Sequence, residues 1–353
     1  MRIGVPREIK IQEGRVALIP NAAAELVKAG HEVFIEKKAG ILSGYSDSQY
    51  SSSGVKICAT ADELYDCAQL LVKVKEPLAQ EVKRLREDQI LFSYLHLAAE
   101  PKLLSALCSV GLTAIAFETV ADNNGRLPLL TPMSDIAGRL AVQIGSNLLH
   151  HHHQGRGILL GGLAAAERGK VVILGAGVAG SNAARIAAGL GAQVVIFDNN
   201  RDKLDAMRVI GDNVTSLYPF SDNIREYVQQ ADLVVGAVLI PGDKAPHLVD
   251  AELVKTMNPG SVLVDISVDQ GGCIETIHPT SYDDPTYLWE NVIHFGVTNM
   301  PGAVPRTASQ ALSAAILPYI LKLTDKNWQN DTYLNNAVNV DKGKIKYHTL
   351  NKI

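Results

Sequence analysis

The stretch that most restricts the fold runs from Lys170 to Asp198 and reads KVVILGAGVAGSNAARIAAGLGAQVVIFD. An apolar, β-branched run, Val171 to Leu174, enters a turn in which Gly175, Gly177 and Gly180 stand in G-x-G-x-x-G register. A helix of small residues follows, then a second apolar run, QVVIF, closed by Asp198. This order predicts a βαβ unit shaped to hold a dinucleotide. Gly175 permits the tight turn, Gly177 lets the backbone approach a pyrophosphate, and Gly180 lets helix and strand pack closely. The first N–H groups and the positive end of the helix then face the phosphates. Asp198, about 20 residues beyond the turn, accepts from the ribose hydroxyls and repels a 2′-phosphate, which predicts NAD and not NADP.

Composition narrows the class. A chain of 353 residues with 47% apolar and 20% charged residues is long enough for two globular domains with a substantial core. A formal net charge of −4, with no basic run, argues against a nucleic-acid partner. MRIGVPREIK lacks the apolar region of a secretory signal, and no apolar stretch reaches membrane-spanning length. Cys58, Cys67, Cys108 and Cys273 are scattered, with neither C-x-x-C nor metal-ligand spacing. They read as reduced thiols of a cytoplasmic protein, and no metal is expected. The run His150 to His153 reads as a solvated helix end, because consecutive histidines do not converge on one ion as i, i+4 pairs do.

Strand and helix patterns alternate almost throughout, predicting an α/β fold with parallel sheets. Strands are expected at 2–5, 32–36, 70–75, 90–95 and 113–118, then at 171–174, 193–197, 232–238, 261–267 and 293–297. The second series forms a nucleotide-binding domain over 131–303, and residues 1–130 with 304–353 form a substrate domain. Helices over 133–150 and 307–325 are expected to connect them, with Pro318 kinking or interrupting the second.

Ligands of open α/β sheets bind beyond the carboxyl ends of strands. That rule selects Lys75 after LLVKV, His96 after ILFSYL, Glu118 after TAIAF and Asp269 after VLVDISV; Arg15 lies in the loop after the first strand. Arg15 offers a planar fork for a carboxylate. Lys75 can bond a carbonyl or carboxylate oxygen, His96 can move a proton near neutrality, and Asp269 can activate the amine or water and stabilise an iminium cation. Four such groups, drawn from two domains around one nicotinamide, suggest hydride transfer on a small carboxylate substrate. Each also has a plainer reading, as a solvated charge or a structural histidine. Glu118 reads as orienting a neighbour or capping a helix.

The segments MRIGVPREIK with EGRVAL, LVKVKEP, LFSYLHLA, TPMSDIAGRLA, ILGAGVAG, ADLVVGAVLIPG, VLVDISVDQGGCIET and GVTNMPGAVPRTAS resemble the alanine dehydrogenase and transhydrogenase alpha-subunit family over nearly the whole chain. The resemblance implies two Rossmann-like α/β domains and NAD-dependent oxidative deamination of L-alanine to pyruvate and ammonium, with the reverse amination. It implies Arg15 and Lys75 as substrate clamp and His96 and Asp269 as catalytic residues. The cofactor contacts it carries over are Ser134, Val178, Ala179, Asp198, Lys203, Val238, Leu239, Ile266, Ser267, Val268, Asp269, Val297, Thr298, Asn299 and Met300. A homohexamer is implied as well. A dehydrogenase of a bulkier amino acid, of the saccharopine or lysine type, and a transhydrogenase-like NAD-binding subunit share the layout. The chain departs from the pattern at GILLGGLAAAERGKV, at Pro219, where serine is common, and at His278, where arginine is common. Asp198→Ala is expected to raise KM for NAD and relax discrimination against NADP; steady-state rates with both cofactors check it, and two unchanged constants would remove Asp198 from the ribose.

Overall fold

The structure, a computed structural model, describes residues 1–238 and 245–352. The chain divides into two compact units, Met1–Met133 with Gly302–Ile353, and Ser134–Pro301.

In the first unit the leading strands are β1 (Arg2–Val5), β2 (Glu32–Glu36), β3 (Lys56–Cys58), β4 (Leu70–Val72), β5 (Ile90–Ser93) and β6 (Thr113–Ala116). They lie in the order β3-β2-β1-β4-β5-β6, all parallel. The doubly wound order reverses between β1 and β4, which opens a crevice beyond their carboxyl ends. Leu64, Leu71, Leu91 and Leu107 form part of the buried cluster that covers one face. After residue 302 the chain adds the helix Pro305–Leu323 and two antiparallel edge strands, labelled in chain order β14 (Val338–Asp341) and β15 (Lys344–Ile345). Of the two outcomes expected at Pro318, a kink or an interruption, the helix shows no interruption. Its buried face, Leu312, Ile316, Ile320 and Leu323, packs along the whole length, so one missing N–H does not break it.

The second unit contains β7 (Lys170–Leu174), β8 (Gln193–Phe197), β9 (Val214–Leu217), β10 (Leu233–Gly236), β11 (Val262–Asp265), β12 (Thr286–Trp289) and β13 (Val292–Phe295). The order β12-β13-β11-β10-β7-β8-β9 repeats the doubly wound arrangement, with β12 as an antiparallel edge. Val172, Val234, Leu253 and Leu263 pack in its core. Both sheets are therefore parallel at the centre and antiparallel at one edge. Strands β3, β9, β12, β14 and β15 were not anticipated: all are short, and β3, β9, β12 and β15 lie at sheet edges where part of their surface faces water, which dilutes the apolar signal. The histidine run forms a single 3-10 turn, His151–His153, after the helix Thr131–Leu148. Among the described residues no helix is long and apolar enough to cross a membrane.

Shortly past the ends of several strands, beyond the last amide that still bonds a neighbouring strand, a carboxylate takes a backbone N–H. The Glu8 carboxylate accepts from Val74 N at 2.7 Å just past β4, and Glu118 accepts from His96 N at 2.6 Å just past β5. Asp265, the last residue of β11, accepts from Ser267 N at 2.9 Å.

His294 on β13 is buried, with Nδ1 3.0 Å from Val292 O and Nε2 2.7 Å from the Thr276 hydroxyl. Burial pushes its pKa from 6.5 down to about 4. The unfolded chain therefore binds a proton that the folded chain refuses between these values, so stability is fully present above pH 6.5 and falls as pH drops towards 4. The loss through this group is up to about 3 kcal/mol. Thermal unfolding scans across that window are expected to show the fall, and His294→Gln is expected to flatten it.

Candidate active site

The glycine turn of the second unit has the form its sequence demanded. Gly175 sits at φ +98°, and a Cβ there would lie 2.7 Å from Ala237 O, at the point where the strand order reverses. A Cβ on Gly180 would overlap the Gly175 carbonyl oxygen, so only glycine lets the helix Val178–Gly189 come this close. Gly177, the N-cap of that helix, is different: its φ is −70°, and a Cβ would meet nothing within 4 Å. The fold itself does not need glycine there. A bare N-cap facing open space, under a 12-residue helix with no capping side chain, fits a pyrophosphate approaching the backbone.

The other positions expected to contact a cofactor follow strands of the same sheet, or lie in the helix Thr131–Leu148. Asp198, at the end of β8, accepts from Ala176 N in the turn and from Asn200 N, both at 2.8 Å, and pairs with Lys203 Nζ at 3.5 Å. These bonds tie the carboxylate to the turn while two oxygens with spare lone pairs remain to accept ribose hydroxyls. Ser134 lies one helical turn before Gly138, whose Cα abuts the Ala179 backbone so closely that a Cβ would overlap Ala179 O. That places Ser134 on the helix face that packs towards Val178 and Ala179. Val238 follows β10 and is half-buried; Leu239 lies outside the described residues. Val297 and Met300 are buried, and Asn299, at φ +61°, adopts a left-handed turn that asparagine tolerates. Tyr282 Oη donates to Met300 O at 3.0 Å and holds this segment.

Ile266, Ser267, Val268 and Asp269 follow β11 in a turn built on Asp265. Its fully buried carboxylate takes the Ser267 hydroxyl at 2.6 Å and the N–H groups of Ser267, Cys273 and Ile274 at 2.9, 2.8 and 3.2 Å. Asp269, in the 3-10 turn Val268–Gln270, is exposed at the crest of that loop.

In the first unit, Arg15, Lys75 and His96 belong to the segments that follow β1, β4 and β5. Arg15 is buried, and Glu13 takes its Nε–Nη2 edge in a two-point bridge at 2.7 and 2.5 Å, while Nη1 lies 3.1 Å from Met133 Sδ. Burial alone would lower its pKa, but the Glu13 hydrogen bond and charge outweigh it, so Arg15 stays charged. Arg15, Glu8 and Glu13 line a cavity of about 230 Å³. The loop is fixed from behind: Ser309 Oγ accepts from Val16 N, and Ser313 Oγ accepts from Ile19 N and donates to Ala17 O. Lys75 is half-buried, two residues after Lys73, whose ammonium sits buried between Glu8 and Glu81 at 3.1 and 2.7 Å. Burial raises the Glu8 pKa; Lys73 works against the shift without reversing it.

His96 is exposed and left-handed, at φ +48°. For a residue with a Cβ that conformation costs on the order of 1–2 kcal/mol. Glu118 holds it there, accepting from Leu95 N at 3.2 Å and His96 N at 2.6 Å, with its oxygen 4.0 Å from His96 Nδ1. The imidazole lies parallel to Tyr94, ring centroids 6.0 Å apart, and Tyr94 Oη donates to Leu129 O at 2.6 Å. Arg15 and Tyr94 interact electrostatically, so these side chains share one end of the sheet. Glu8, Glu13 and Asp265 were not singled out from the sequence. The signal available was an acid directly at or after an apolar run, as at VLVD.

Doubly wound sheets with a glycine turn and a strand-final acid define a dinucleotide-dependent oxidoreductase fold. The comparisons agree in detail. The family pattern described as alanine dehydrogenase/PNT, N-terminal domain, matches residues 4–137, and the C-terminal domain pattern matches residues 141–348. An alanine dehydrogenase of Methanococcus maripaludis is 49% identical, covering 100% of this chain and 96% of its own. One from Bacillus subtilis is 47% identical, covering 99% and 94%. A solved L-alanine dehydrogenase superposes with a TM-score of 0.97 at 50% identity, covering 100% of this chain and 98% of that one. A transhydrogenase from Sinorhizobium meliloti follows at 0.85 and 25% identity, with 98% of each chain covered. The chain belongs to the alanine dehydrogenase/PNT family, and its cofactor is NAD.

The glycines separate fold from binding. Gly180→Ala is expected to destabilise by about 1–3 kcal/mol through overpacking, read as a lower Tm. Gly177→Ala is expected to keep the wild-type Tm but weaken NAD on the order of tenfold, read by titration.

Proposed function

We propose that this protein catalyses the NAD-dependent oxidative deamination of L-alanine to pyruvate and ammonium, and the reverse reductive amination. The observation that carries this reading is that the match to proteins named alanine dehydrogenase spans the chain from end to end, covering both units. The unit Met1–Met133 with Gly302–Ile353 serves as substrate domain, and Ser134–Pro301 as NAD-binding domain. A homohexamer in the cytoplasm completes the proposal.

Arg15 and Lys75 hold the substrate carboxylate. Bonded along its Nε–Nη2 edge to Glu13, Arg15 is held in place as a fixed charge. When bound, NAD would supply a hydride acceptor for the substrate Cα, the amino group reacting in its neutral form after loss of its ammonium proton. Asp269 stabilises the positive charge left on the iminium nitrogen and carbon, and orients a water molecule towards that carbon. His96 takes a proton from that water as the C–O bond forms and returns it to nitrogen; the C–N bond then breaks as the hydroxyl proton passes to the departing ammonia, leaving pyruvate and ammonium. In the reverse direction the same groups move the protons backwards. Glu118, by fixing the His96 backbone, sets where the imidazole stands.

NADH formation is expected when L-alanine and NAD are supplied, measured against serine, glycine, lysine and ornithine with both cofactors. Turnover with another amino acid and none with alanine would overturn the substrate assignment. His96→Ala is expected to lower kcat by on the order of 10²–10⁴ while NAD binding persists, and near-normal turnover would remove His96 from the chemistry.

A further inference from the structure

Two buried cations of the first unit, Arg15 and Lys73, stand among three carboxylates, Glu8, Glu13 and Glu81. Fully ionised, this cluster carries one negative charge in excess. Cations around it act on other carboxylates: Arg7 on Glu36, and Lys10 and Lys75 on Glu76. Solvent offers little relief, because the Glu8 and Lys73 side chains are only 3% and 1% exposed. A buried charge without a full counter-charge is costly, and a carboxylate escapes that cost by taking a proton.

Hydrogen bonds say which carboxylate takes it. Glu13 accepts from Arg15 N, Nε and Nη2. Glu81 accepts from Lys73 Nζ at 2.7 Å, the Tyr65 hydroxyl at 3.1 Å and Leu78 N at 2.8 Å. Glu8 accepts from Val74 N at 2.7 Å and Lys73 Nζ at 3.1 Å, and the charges of Glu13 and Glu81 bear on it. It is the least compensated of the three, and burial raises its pKa against the pull of Lys73. A protonated carboxyl keeps acceptor lone pairs, so Glu8 can change charge without releasing Val74 and the segment bearing Lys75. Glu8 lies in the wall of two cavities of about 590 and 230 Å³, the smaller also lined by Arg15, and both are roomy enough for water to deliver a proton. Glu8 and Arg15 interact electrostatically, so an anion arriving on Arg15 adds to the excess that Glu8 already bears.

We propose that Glu8 takes up a proton from solvent when the substrate carboxylate docks on Arg15, and returns it when that carboxylate leaves. The proposal rests on Arg15 holding the substrate, and Glu8 acts through Arg15, not on the reacting atoms. A proton held more tightly in the complex than in the free protein sets the sign. Affinity for the carboxylate is highest while Glu8 is protonated in both states, and falls as pH rises between its free and bound values.

The test is calorimetric. The whole protein, saturated with NADH and free of ammonium, is titrated with pyruvate in buffers of different ionisation heat. Near neutral pH the wild type is expected to take up on the order of half a proton more than Glu8→Gln. Protons gained by His96 or Lys75 count in both proteins and cancel in the difference. Pyruvate affinity is expected to fall with rising pH more steeply in the wild type, by about threefold per unit. Glu81→Gln leaves Glu8 and its Val74 bond in place but removes the excess charge, and is expected to lose the same uptake. Infrared difference spectra of the wild type, with isotopically labelled pyruvate, are expected to gain an un-ionised carboxyl band, a readout that needs no variant to fold. Equal uptake in wild type and Glu8→Gln, undiminished uptake in Glu81→Gln, or no new carboxyl band would each overturn the proposal. If the wild type with NADH bound no pyruvate, the substrate reading itself would fail, and the role of Glu8 with it.

Discussion

A carboxylate that accepts backbone N–H groups at the carboxyl end of a parallel strand is the contact on which both sites of this protein depend. Glu8 takes Val74 N, Glu118 takes His96 N, Asp198 takes Ala176 N, and Asp265 takes Ser267, Cys273 and Ile274 N. Parallel strands diverge at their ends, and the amides released there need an acceptor. Hydrogen bonds to a charged group contribute about 1.5–3 kcal/mol each, and burying the carboxylate takes back much of that. Net stability is therefore a small part of the outcome. Geometry is the larger part, because each captured amide fixes the segment bearing Lys75, His96 or Asp269, or the glycine turn itself.

The two units use one plan for different ends. Both sheets reverse their strand order at an internal pair, β1 with β4 and β7 with β10. In the second unit the crevice is kept bare by glycines, so that a phosphate can reach main-chain N–H groups. The first unit fills the equivalent region with buried charge: Lys73 between Glu8 and Glu81, and Arg15 on Glu13. Buried pairs of this kind add little stability over apolar packing but lose several kcal/mol if one partner is removed. They hold an arginine and a lysine segment rigid at the mouth of a cavity, which suits the capture of a small carboxylate.

Much of this was legible in the residues. The separate tasks of Gly175 and Gly180 follow from local sterics, and the structure shows a left-handed φ at one and backbone contact at the other. The central strands follow from apolar runs. The edge strands β3, β9, β12 and β15 did not announce themselves, because a short, partly exposed strand has no continuous apolar run to read. Pro318 offered a kink or an interruption, and the helix runs through it without interruption. At the candidate site, Lys75, His96 and Asp269 could be picked out as polar residues after apolar runs. Glu8, Glu13 and Asp265 could not be told from ordinary charges, since their role is to hold other residues.

By itself the sequence determined the alternation of strand and helix, the dinucleotide turn and the acid that follows it. All of these rest on interactions between residues a few positions apart, where periodicity and backbone sterics decide. Tertiary structure alone decided which carboxylate captures which amide, joining Glu8 to Val74 across 66 positions and Glu118 to His96 across 22. It also forced His96 into a left-handed backbone that no local preference would select. Such bonds form only once the strands lie side by side, because the partners meet through the sheet and not along the chain.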